Sequence, residues 1–159
     1  MPSHDEPRAA QLLEALLPLT RRIAQLDLSD PAAAAGALSA AAPPSELSEL
    51  RALMCAANAE GWLTPRRATE TLSFGRLARP DEATSGLSID VVDMAGAGAG
   101  HTHPNGEVSL CFALQGEPRF MGEPEGWVVV APGSHHVPTV SGGRMLITYF
   151  LPGGAMEWD

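Results

Sequence analysis

From about residue 70 onward the chain is written in short extended pieces. TLSFGRLA, GLSIDVVDM, EVSLCFAL, PRFMG, GWVVVA and RMLITYFL are rich in β-branched or large apolar residues, and Gly, Pro, Asn and Asp separate them. Strands this short, spaced this regularly by turn formers, build an all-β barrel or sandwich.

The preceding residues follow a different period. Leu12, Leu16, Leu19, Ile23 and Leu26 recur at spacings of four and three, which lines one face of a helix. Pro18 is expected to kink that helix or to mark a new first turn. In SDPAAAAGALSAAAPP, Asp30 as N-cap and Pro31 at the first helical position favour a short Ala-rich helix over a flexible linker. Ser45 is expected to cap a further helix with Leu47, Leu50, Met54 and Ala57 as its apolar stripe, stopped by Gly61 just before Trp62. The expected architecture is mainly β. A helical N-terminal region, residues 1–66, precedes a small β-barrel, residues 67–159, in one compact unit.

Composition narrows the function. A chain of 159 residues has room for one real core. Its net charge of −9 leaves no excess of Lys and Arg to neutralise phosphates, which argues against nucleic acid and anionic membrane surfaces as partners. MPSHDEPRAAQLLEALLPL carries acids and a proline before its apolar stretch, unlike the basic start of a secretory signal. No apolar run approaches a bilayer span. Cys55 and Cys111 form no close-spaced pair, so disulfides are not expected and the cytoplasm is the expected compartment. A helical arm beside exposed sheet edges favours a homodimer or higher homo-oligomer.

Four of the five histidines fall in two pairs, in GHTHPNGE (residues 100–107) and GSHH (133–136). On a strand, His101 and His103 point to one face. After the turn PNG, Glu107 opens a segment in which Val108, Leu110, Phe112 and Leu114 share one side, and Glu107, Ser109, Cys111 and Ala113 the other. If the apolar side packs outward, Glu107 points inward and the hairpin brings two imidazoles and a carboxylate together. One histidine of the second pair would complete a site for a single divalent ion (Zn, Fe or Mn) with positions left for water or substrate. Adjacent strand residues face opposite ways, so only one of His135 and His136 is expected to be a ligand.

These residues resemble the cupins. His101, His103 and Glu107 reproduce the first cupin motif, H-x-H-x3-E, and GWVVVAPGSHH, with Gly126, Pro132 and Gly133, follows the second, which places His136 in the ligand position. Beyond the motifs, SIDVVDM, HPNGE, APGSHHVPTVSGGR, LPGGAMEW and the EGWL of residues 60–63 resemble a bacterial group that includes the 4-hydroxylaminobenzoate lyases. The resemblance implies a cupin fold behind a helical region. It also implies conversion of 4-hydroxylaminobenzoate, a small aromatic acid, and water to 3,4-dihydroxybenzoate and ammonia.

Such chemistry wants a proton carrier, for which His135 and Tyr149 are the candidates. It wants a guanidinium for the substrate carboxylate, with Arg119 and Arg144 ahead of Arg76 and Arg79. Trp127, with Phe112 and Phe120, could wall the ring, and Cys111 is expected to be a buried inert thiol. Two other functions fit the same ligand set: a mononuclear iron dioxygenase acting on an aromatic acid, and a cupin that binds a small molecule without turning it over.

Overall fold

A computed structural model describes residues 6–159; the first five, part of the stretch read above for a signal, lie outside the described residues. Among the described residues three α-helices come first, α1 (Glu6–Ile23), α2 (Pro31–Ala41) and α3 (Ser48–Ala59). Asp30 caps α2 as expected, its carboxylate accepting the Ala33 N–H at 3.2 Å. Pro18 does not end α1, whose buried face of Leu12, Leu16, Leu19 and Ile23 continues across it. Ser45 does not cap α3. The Pro43-Pro44 pair sets a single 3₁₀ turn, Pro44–Glu46, in which Glu46 and Leu47 donate their N–H groups to the Pro43 and Pro44 carbonyls. The helix therefore starts later, with Leu47 as its N-cap and no side chain supplying a bond.

Among the described residues nine strands follow, in two antiparallel sheets. The larger runs β1 (Arg66–Thr69), β2 (Leu72–Ala78), β3 (Leu87–Ala97), β8 (Thr139–Pro152), β5 (Glu107–Phe120), β6 (Gly126–Val130). The smaller runs β7 (Ser134–His136), β4 (His101–His103), β9 (Glu157–Trp158). The chain is mainly β, as expected. Among the described residues no ladder joins the two sheets, and the strands form an open two-sheet sandwich compatible with the small cupin-type β-barrel expected from the sequence.

Strand parity divides the apolar residues into two cores. Val108, Leu110 and Phe112 of β5 share the outer face of the large sheet with Ile89, Val91, Leu146 and Phe150, and pack with Leu16, Leu38 and Met54 of the helices. Met94, Cys111, Phe120, Met145, Ile147 and Tyr149 form the second core, between the sheets. The helical region thus covers the sheet's back and leaves the inner face for the site.

Polar contacts fasten the two layers. The Trp127 indole N–H donates to the Ala42 carbonyl at 2.7 Å, tying β6 to the end of α2. Arg51 of α3 donates to the Ala113 carbonyl and to Glu125, whose carboxylate also accepts the Ala113 N–H at 2.7 Å. Among the described residues no helix is long and apolar enough to cross a membrane.

Met54 is fully buried between α3 and β8, where its sulfur accepts the Thr148 hydroxyl at 3.5 Å. Met54→Ala should cost about 2–5 kcal/mol in urea unfolding. If arm and sandwich are one cooperative unit, tryptophan fluorescence and far-ultraviolet dichroism will report one shifted transition; two separated transitions would show that the arm folds independently.

Candidate metal centre

The two histidines of β4 and the carboxylate of β5 meet across the interior, because the turn between them is a corner and not a hairpin. β4 pairs with β7 and β9, whereas β5 pairs with β6 and β8 in the other sheet. Gly106 makes the corner with φ +84, and its N–H donates to the His103 carbonyl at 3.1 Å. A Cβ there would stand 2.9 Å from the Val130 carbonyl oxygen, so the position suits glycine on both counts.

Register selects between the two histidines of GSHH. His101 lies opposite His136 and Thr102 opposite His135. Paired residues share a face, so His136 joins His101 and His103 inside while His135 turns outward with Thr102. His136 Nε2 stands 3.1 Å from His101 Nε2 and 3.0 Å from His103 Nε2. Glu107 Oε2 lies 2.8 Å from His103 Nε2, and Ser109 donates its hydroxyl to the other oxygen, Oε1, at 2.8 Å. Single ligand atoms of the four residues all fall within 4.8 Å of one another.

The arrangement fits a divalent ion. Two ligands about 2.1 Å from one ion, at angles between square and tetrahedral, stand about 3.0–3.4 Å apart, which matches the nitrogen spacings. Among the described residues, the buried side-chain nitrogens and oxygens without a hydrogen-bond partner are Nδ1 of His101, His103 and His136, and Glu107 Oε2. The three Nε2 atoms and Glu107 Oε2 crowd one small region, an arrangement that a cation would satisfy.

Burial, reinforced by the neighbouring His103 and His136 and opposed by Glu107, lowers the His101 pKa from 6.5 to about 4. Burial also lowers that of His136. Both rings are therefore neutral near pH 7, the form that binds metal.

Of the remaining candidates, Tyr149, Phe120 and Cys111 lie in the inner core beside the cluster. Burial first, then the Glu107 and Cys111 charges, holds the Tyr149 phenol well above its ordinary pKa, and burial pushes the Cys111 thiol up. The structure puts the others elsewhere. His135 is exposed, its Nε2 2.8 Å from the Asp159 carboxylate. Trp127 and Phe112 face the helices. Arg119 is exposed and donates to the Gly122 carbonyl at 3.1 Å. Arg144 is on the helix side, paired with Asp93 at 2.6 Å, and Arg79 follows β2 in an exposed position.

Sequence reasoning missed Trp158. It lies opposite His101 on β9, and its ring meets the imidazole edge-on at 5.1 Å although the residue is 66% exposed. Its signal was adjacency in the fold only, since it stands 57 positions from His101 in the chain. A cavity of about 330 Å³ lies between the α1–α2 connection and the β4–β5 corner, lined by Leu26, Leu28, Asn105 and Pro132 among others, and none of the four cluster residues borders it.

Two measurements test the cluster. Elemental analysis should find about one metal ion per chain, strongly reduced in His101→Ala; unchanged content would rule the set out. In metal-free protein, the unfolded chain takes up the proton that folded His101 refuses. Stability should therefore be full above about pH 6.5 and fall as the pH drops toward about 4. Urea midpoints across this window should show that slope, and His101→Gln should flatten part of it.

A model of the family described as PnbB, 4-hydroxylaminobenzoate lyase, matches residues 20–158. The chain is 34% identical over 92 residues to the 4-hydroxylaminobenzoate lyase of Nocardioides sp. (strain LMS-CY), covering 53% of this chain and 54% of that protein. It is 31% identical over 80 residues to the enzyme of that name from Pseudomonas putida, covering 48% and 46%. The matches thus span about half the length of each curated relative. Solved structures similar to it include an RmlC-like cupin protein from Ralstonia eutropha, with TM-score 0.40, 17% identity and coverage of 57% of this chain and 62% of that one. A salicylate 1,2-dioxygenase from Pseudaminobacter salicylatoxidans gives TM-score 0.40, 14% identity and coverage of 62% and 30%. With a family model matched over nearly the whole described length, the chain belongs to the 4-hydroxylaminobenzoate lyase family.

Proposed function

We propose that this protein is a metal-dependent lyase converting 4-hydroxylaminobenzoate and water to 3,4-dihydroxybenzoate and ammonia. The observation that carries the reading is the convergence of three imidazoles and one carboxylate between the sheets of a chain in this family. His101, His103, Glu107 and His136 would hold one divalent ion, zinc, iron or manganese. Such an ion supplies Lewis acidity toward the N–O oxygen and lowers the pKa of water.

The reaction loses the hydroxyl of the hydroxylamino group as water, adds one water oxygen to the ring carbon beside the nitrogen, and replaces the nitrogen hydrolytically. One water is consumed overall and no external oxidant is required. The departing hydroxyl must gain a proton. Tyr149 is the inner-core hydroxyl placed to supply it, since it lies opposite Ser109, whose own hydroxyl bonds Glu107. Tyr149 carries this role in place of His135, whose exposed ring is engaged with Asp159. Ser109 fixes Glu107 through Oε1 and leaves Oε2 for the cluster. Phe120, Met145 and Ile147 wall the interior with apolar surface that keeps bulk water out.

Purified protein carrying its metal should release ammonia from 4-hydroxylaminobenzoate under anaerobic conditions. Absence of ammonia from all three ring isomers would sink the reading, and dependence on oxygen would favour a dioxygenase. Tyr149→Phe should lower kcat by about 10²- to 10⁴-fold with metal content unchanged. Retained kcat in that variant would remove Tyr149 from the mechanism.

A further inference from the structure

The substrate of the proposed reaction carries a carboxylate that none of the four cluster residues can hold. The chain has ten arginines and no lysine, so a permanently charged side chain for that carboxylate is a guanidinium. Arg144 and Arg119, ranked first from sequence, point away from the interior, one toward Asp93 on the helix side and the other into solvent.

Arg76 sits on the other face. In β2, Leu77 packs with the outer core and Leu72 with the inner one. A Cβ on Gly75 would collide with the Leu63 carbonyl, which marks the odd positions as the covered side. Alternation then puts Arg76 on the inner face. Register carries this across the large sheet: Arg76 lies opposite Asp90, Asp90 opposite Tyr149, and Tyr149 opposite Ser109, whose hydroxyl bonds Glu107. With neighbouring strands about 4.8 Å apart, the Arg76 backbone lies about 10 Å from that of Tyr149, in the same row.

The guanidinium is held along one edge only. Its Nε donates to Asp90 Oδ1 at 2.7 Å and its Nη2 to Oδ2 at 3.5 Å, while Ser88 donates to the same Oδ2 at 3.0 Å. Nη1 has no partner among the described residues, and the side chain is 48% exposed. A guanidinium fixed by one carboxylate and open to solvent on its remaining edge is preorganised for a second.

Resting on the lyase reading above, we propose that Arg76 binds the substrate carboxylate and sets the preference for carboxylated rings. Arg66 is the natural control. It lies opposite Phe74 on edge strand β1, so it shares the inner face one strand farther out, with no ion pair among the described residues.

The test compares binding of 3,4-dihydroxybenzoate and of catechol, its counterpart without the carboxylate, by calorimetry on protein carrying its metal. Wild type should prefer 3,4-dihydroxybenzoate by on the order of tenfold or more, and Arg76→Met should bring the two within about twofold while leaving catechol affinity in place. Arg76→Lys should recover part of the preference, and Arg66→Met should retain it. In turnover, Arg76→Met should raise KM far more than it lowers kcat. A preference unchanged in Arg76→Met, or absent from wild type, overturns the assignment. Ammonia release by wild type separates the two claims: its absence removes the lyase reading itself, whereas release with an unaltered preference in Arg76→Met removes only Arg76.

Discussion

Glu107 is 1% exposed, and its contacts are one hydroxyl and one imidazole. Among the described residues no arginine lies within ion-pair distance of it. A buried carboxylate so placed is costly unless a cation answers it, and His136 Nε2 stands 3.1 Å from His101 Nε2 and 3.0 Å from His103 Nε2 beside it. A shared divalent ion would answer the carboxylate and take the three ring nitrogens as ligands. The sheets, the corner and the helical cover can be understood as the framework that holds these four groups together against that cost.

The framework divides its work by face. The helices take the outer face of the large sheet, where Trp127, Arg51 and Met54 fasten them to β5, β6 and β8. The inner face is then free to carry Glu107, Ser109, Tyr149 and Asp90 in adjoining positions. The small sheet contributes the three histidines, with Trp158 of its edge strand at the solvent side of His101. The site thus draws its candidate ligands from two sheets that share no ladder among the described residues.

Much of this was legible in the chain because strand alternation is a local rule. The Val108/Leu110/Phe112 side of β5 faces the helices, and Glu107, Ser109 and Cys111 face inward, as two-residue periodicity requires. Alternation does not say which strand faces which, and that is where sequence reasoning lost Trp127, Arg119 and Arg144. Trp127 lies opposite Leu110, so it inherits the outer face. Irregular pairing between Gly116 and Arg119 offsets Arg119 from the regular strand, and Arg144 finds its partner in Asp93, 51 positions away. Ser45 failed as a cap for a local reason, the turn imposed by Pro43 and Pro44. Arg76 and Trp158 became visible only once pairing placed them beside Asp90 and His101.

The central claim is that a single ion sits where these four side chains converge. The most direct measurement is anomalous diffraction from crystals of the purified protein, recorded at the absorption edge of the metal it carries. One peak is expected, about 2.0–2.3 Å from Nε2 of His101, His103 and His136 and from a Glu107 oxygen. A metal-bearing protein whose anomalous peak lies away from these four residues would contradict it.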